Sequence, residues 1–192
     1  MKKLVDYISE GFGSKLIERE ILIKGISCNV LEGNGPFKNI HSFSTLGVSR
    51  YPLKNLKGHE LPFGVEIISA VHPIEPSVFD YPGILAAVAF QFTQNYAMSI
   101  GNVVVDVVKN MYPVLKDKPH LYLTFPPGPG YWKHDFDDLL IGTKNIKFLC
   151  GFPISVQEYS LLKEKGREYF EDYLDQNEID IFNSKRQSEL LS

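Results

Sequence analysis

The sequence is poor in the residues that most often do chemistry. Only two cysteines, Cys28 and Cys150, occur in 192 residues. Both lie in apolar runs without a polar, activating neighbourhood, so they read as small buried hydrophobes and not as nucleophiles or a disulfide. The five histidines, His41, His59, His72, His120 and His134, never pair at three or four residues. His59-Glu60 opens like a zinc-protease helix, but Phe63 stands where the second histidine is needed and Pro62 breaks the helix. No metal or other cofactor is expected. There is no Gly-x-Ser-x-Gly elbow. The glycine pairs Gly33/Gly35 and Gly128/Gly130 lack the third glycine, or the following Lys-Ser/Thr, of a phosphate loop.

Long hydrophobic runs are absent too, which argues against a membrane helix. After Met1-Lys2-Lys3, the stretch to Gly13 is interrupted by Asp6, Ser9 and Glu10, so no signal-peptide core forms and a cytoplasmic protein is expected. A net charge of −3 is too balanced to suggest direct nucleic-acid binding. Thirteen Phe and ten Tyr among 44% hydrophobic residues point to one well-packed globular domain spanning 1–192.

Along the chain, Leu4, Ile8, Phe12 and Leu16 predict a helix over 3–18, within an N-terminal helical segment of about 20 residues. Residues 21–31, 41–49 and 61–71 read as strands, with a turn at 33–36. Pro82 starts, and Gly101 stops, a strongly apolar helix over 79–100 that includes Tyr96. Strands are expected at 103–108, 120–125 and 147–154, with a Pro/Gly loop at 126–130. Ser155 and Glu158 form a capping box that opens a helix to about Gln176. Its inner face is predicted to hold Val156, Tyr159, Leu162, Gly166, Tyr169, Phe170 and Tyr173. Residues 183–192 read as a frayed tail. Irregular mixing of strands and helices favours an α+β domain with a mixed, largely antiparallel sheet packed by helices.

Charge is distributed unevenly. From Glu168 to Asp180 there are six acids and no base. Glu164, Glu168, Glu171 and Asp175 fall on one helical ridge by their spacing of four, three and four. Carboxylates near a helix C-terminus oppose the macrodipole, a penalty that a charged binding surface would carry. The His134-Asp135-Phe136-Asp137-Asp138 cluster is the other dense polar stretch. It reads as an acidic surface loop; the rival reading is a metal-assisted hydrolase centre. Tyr131-Trp132, beside the Pro/Gly loop, offers Trp132 as an exposed anchor for a partner.

Four stretches, in order, resemble the suppressor-of-fused domain: Ser44-Thr45-Leu46-Gly47-Val48-Ser49-Arg50-Tyr51-Pro52, Phe63-Gly64-Val65-Glu66-Ile67-Ile68, Leu121-Tyr122-Leu123-Thr124-Phe125-Pro126-Pro127, and Phe148 to Tyr159 running on to Lys165-Gly166. The resemblance covers roughly residues 21–175. It implies a non-enzymatic α/β domain on a mixed sheet. At this length the chain is similar to bacterial single-domain members that resemble immunity proteins, or antitoxins, of secreted polymorphic toxins. The implied partner is the C-terminal domain of an LXG-type toxin, a nuclease. A protein-binding role then makes Glu164, Glu168, Glu171, Asp175, Asp135, Asp137, Asp138 and Trp132 the candidate toxin contacts. A regulatory scaffold for some other complex is the remaining alternative.

Overall fold

The computed structural model describes the chain except for residues 36, 38–39, 55–56, 73–80, 95–99, 129 and 187–192. Helix α1 (Lys2–Phe12) ends where Gly13 takes a left-handed conformation at φ 66° and caps it. The chain then enters a hairpin of β1 (Ile17–Ile23) and β2 (Ile26–Asn34), turned by Lys24 and Gly25, both at positive φ. The helix is thus shorter than its periodicity predicts: Leu16 lies beyond the cap. The single strand predicted over 21–31 is the second half of one strand and most of the next.

β3 (His41–Leu46) leads into a 3-10 turn at Val48–Arg50, and β4 (Phe63–Val71) follows. Helix α2 (Pro82–Thr93) has Pro82 in its first turn and no charged residue. It stops at Thr93, well before the expected end at Gly101; the expected start at Phe79 and the expected helix residue Tyr96 lie outside the described residues. The β-branched run 103–108 is not one strand. Only Val103–Val104 pairs, as β5, before Asp106 at φ 56° turns the chain into the short α3 (Val107–Met111). β6 (His120–Thr124), β7 (Leu139–Ile141) and β8 (Lys144–Ile154) complete the sheet.

The strand order is β1-β2-β3-β4-β8-β6-β5, with β7 alongside β8. Among the described residues β4–β8 is the one parallel pairing, and the others are antiparallel. The domain is α+β with a mixed, largely antiparallel sheet, as the irregular alternation predicts. Alternate side chains face opposite ways, so the sheet builds two cores. Val30, Phe43, Val65, Ile67 and Leu121 meet Ile84, Leu85, Val88 and Phe92 of α2. On the other face Leu31, Ile68, Tyr122, Phe148 and Phe152 meet Leu4, Ile8 and Phe12 of α1 and the C-terminal helices.

The capping box holds: Ser155 Oγ accepts from the Glu158 N–H, and the Glu158 carboxylate accepts from the Ser155 N–H. The helix it opens breaks at Gly166, at φ 87° and ψ 173°, into α4 (Val156–Lys165) and α5 (Arg167–Gln176). Leu162, Phe170 and Leu174 are buried, whereas Val156 and Tyr169 are exposed, contrary to the predicted inner face. Nor is the start of the predicted tail frayed. Ser184 and Arg186 are buried; residues 187–192 lie outside the described residues.

Candidate functional site

The acidic ridge is split by the break at Gly166. Glu164 lies in the last turn of α4, exposed and paired with Lys165 at 2.8 Å, whose ammonium holds its carboxyl below the usual range. Glu168 and Asp175 are exposed on α5. Glu171 is not a free surface acid. It is half-buried, accepts hydrogen bonds from the Tyr122 hydroxyl at 2.8 Å and from the Thr124 hydroxyl, and faces Arg167 across 3.7 Å. It docks α5 on β6. Burial, and then the bond to the Glu171 carboxylate, push the Tyr122 phenol strongly up.

The 131–138 segment divides similarly. Trp132 is only 4% exposed, its Nε1 donates to Ser42 Oγ at 2.9 Å, and its ring packs among Phe12, Phe136 and Phe182. It anchors the loop to the core and is not an exposed anchor for a partner. His134 sits against the Tyr7 ring at 4.5 Å, with Nδ1 2.9 Å from the Asp135 carbonyl oxygen and Nε2 3.2 Å from the Tyr7 carbonyl oxygen. Both nitrogens are thus turned to backbone, a poor arrangement for a general base or a metal ligand. Among the described residues no three His, Cys, Asp or Glu side chains converge as a metal site.

Asp135, Asp137 and Asp138 do reach the surface. Asp138 is bound by Lys147 at 2.9 Å, which lowers its carboxyl, and by Asn145 at 2.8 Å. Burial, with the Asp137 carboxylate nearby, pushes the Tyr7 phenol up to about 12. Asp135, Asp137 and Asp138, with Phe125 and Phe148, border an open cleft of about 480 Å³.

Two buried polar knots went unpredicted. Glu66 is fully buried, and its carboxylate accepts from the Thr45 hydroxyl (2.6 Å), the Gly47 and Ser49 N–H groups (2.9 and 3.1 Å) and the Ser49 hydroxyl (2.7 Å). Burial raises this carboxyl and the donated bonds oppose the rise. Gly64 lets the 3-10 turn lie against β4: a Cβ there would fall 2.5 Å from the Ser49 carbonyl oxygen. The second knot joins Arg186 to Glu158 at 3.2 Å and to the Pro153 carbonyl oxygen at 2.7 Å, while Lys118 donates to the Arg186 carbonyl oxygen. It straps the C-terminal segment to β8 and α4. The residues of the first knot fall in the stretches Ser44–Ser49 and Phe63–Ile68, which one shared carboxylate joins in the fold.

The family model of the suppressor of fused protein matches residues 20–187, and the chain belongs to that family. It is 31% identical over 166 residues to the immunity protein YqcF of Bacillus subtilis (strain 168), covering 86% of this chain and 83% of that protein. Two solved structures share the fold. A chain of the Sufu–Fu complex crystal structure superposes with a TM-score of 0.71 at 12% identity, over 97% of this chain and 90% of that one. Drosophila Suppressor of Fused does so at 0.60 and 13%, over 83% of this chain and 42% of that one.

Proposed function

We propose that the chain is an immunity protein that binds and neutralises a cognate toxin. The observation that carries this is the 31% identity to a protein of that name across most of both chains. The site geometry is compatible: the candidate residues that reach the surface are carboxylates, and the histidine among them is engaged by backbone. The finer reading is that the toxin is an LXG-type nuclease and that inhibition works by surface contact in the cytoplasm. A nuclease groove is basic where it holds phosphates, so an acidic surface would steer encounter and compete for that groove. The contact set is Glu164, Glu168 and Asp175 on the helices, with Asp135, Asp137 and Asp138 on the loop. Trp132 and Glu171 leave it because the fold already uses them.

Co-expression with the C-terminal domains of candidate toxins, scored for survival and co-purification, tests the reading. Rescue by one toxin with a stable complex is expected. Charge reversal at Glu168 and Asp175 should then weaken that complex by on the order of tenfold or more. Neither rescue nor complex across nuclease toxins would overturn the nuclease assignment, and unchanged affinity in the reversed variants would overturn the contact set.

A further inference from the structure

The sheet ends unevenly. At one side β5 is two residues long; at the other β1 runs for seven, and among the described residues it pairs only with β2. Sheet edges are usually blunted by brevity, proline, bulges or lysine. β1, Ile17-Glu18-Arg19-Glu20-Ile21-Leu22-Ile23, has no proline and no glycine, and its register with β2 is unbroken. Ile17 and Leu22 are exposed, at 59% and 68%.

The hairpin turn determines which backbone groups are free. Ile23 and Ile26 flank the two-residue turn and exchange hydrogen bonds, and alternate pairs back along the ladder do the same. Glu18, Glu20 and Leu22 therefore turn their N–H and C=O groups outward. The side chains of Glu18 and Glu20 share one face of the strand. Asn29 Nδ2 donates to Glu18 at 2.8 Å and Ser27 Oγ donates to Glu20 at 2.6 Å, so both carboxylates are held in place beside the open edge.

We infer that the outer edge of β1 is a strand-addition site for an extended, basic segment of a partner protein. For its partner this rests on the immunity reading, with the segment supplied by the toxin. The incoming strand would bond the outward groups of Glu18, Glu20 and Leu22. It would carry Lys or Arg opposite the two glutamates and apolar residues opposite Ile17 and Ile21. A second copy of this chain is the poorer occupant. The register that uses all three outward residues sets Glu20 against Glu20, and a shift by one pair sets Glu18 against Glu20. A shift the other way runs Glu18 out to Lys24 in the turn and leaves fewer bonds.

Amide hydrogen exchange on the full chain tests this, with two probes: the toxin domain that co-purifies, and a peptide alternating lysine and valine. The amides of Glu18, Glu20 and Leu22 should exchange freely in the isolated chain and gain on the order of tenfold or more protection with either probe. Glu20→Pro removes an outward N–H without touching the β1–β2 ladder, and should abolish that gain with an unchanged thermal midpoint. Glu18→Lys combined with Glu20→Lys should abolish it by charge alone, and serves if the proline variant fails to fold. A toxin complex that leaves these amides unprotected overturns the inference while the immunity reading stands. Protection by the peptide with no toxin bound upholds the edge site and removes the immunity reading. No protection by either probe, protection unaffected by both variants, or a dimer already protecting β1 overturns the inference.

Discussion

Glu66 takes four donors onto one buried carboxylate, and the cost of losing it follows from what it would leave behind. Glu66→Ala strands the hydroxyls of Thr45 and Ser49 and the N–H groups of Gly47 and Ser49 inside the fold. The expected loss is about 3 kcal/mol of stability, measured by urea unfolding. His120 gives a prediction in pH. Its Nδ1 accepts the Asp106 N–H at 3.0 Å, which requires that nitrogen unprotonated, and burial lowers its pKa from the ordinary 6.5. The unfolded chain therefore binds the proton more readily than the folded one. Stability should be full above about pH 6.5 and fall as the pH drops from there toward the lowered folded value. His120→Asn keeps an acceptor in place and should flatten this part of the profile in thermal melts taken from pH 7.5 to 5. Neither role was legible in the sequence, because partners such as Thr45 and Glu66, or Asp106 and His120, meet only through the sheet and the turn after β5.

Elements were legible wherever a local signal was unopposed. The capping box at Ser155 and Glu158, the apolar strand β8 and the proline start of α2 all follow from residues within one turn or one strand. The misses have local causes as well. Leu16 continues the periodicity of α1, but Gly13 caps it first. Lys24-Gly25 makes a tight turn without the Asn or Asp that usually marks one. A run of valines after Gly101 suggests a strand that Asp106 interrupts. Gly166 is the clearest case: read as an inner-face residue of one long helix, it is the joint between two. A residue with a Cβ is strained at φ 87° and ψ 173°, even though the space around it is open. Gly166→Ala should therefore cost about 1–3 kcal/mol, read as a lowered urea midpoint with an unchanged m-value. Arg186→Ala should cost about 3–5 kcal/mol in the same assay, because it removes the cation that faces the buried Glu158 carboxylate and leaves that carboxylate only its capping bond from the Ser155 N–H.

Across the whole molecule, acidic residues are divided between those that hold the fold and those that face water. Glu66, Glu158 and Glu171 belong to the first group, and Glu164, Glu168, Asp175, Asp135, Asp137 and Asp138 to the second. Spacing found the candidates but could not sort them, since burial depends on which strand or helix lies opposite. If the exposed group meets a basic partner, its association rate should fall steeply between 0.05 and 0.5 M salt, on the order of tenfold or more, while dissociation changes little. Stopped-flow mixing at several ionic strengths would show it.

The parallel contact between β4 and β8 joins Phe63 to Asn145 and Ile68 to Cys150. Closing a loop of about 80 residues costs about 4 kcal/mol of chain entropy before any contact across it forms. The hairpin and meander from β1 to β4 rely on near neighbours; the second half must find β4 across that distance. On the ribosome, β4 is an open edge until β8 has emerged, and its apolar strand waits exposed. The native sheet should therefore close late at its centre, with the docking of β8 limiting the rate at which newly made chains reach the native fold.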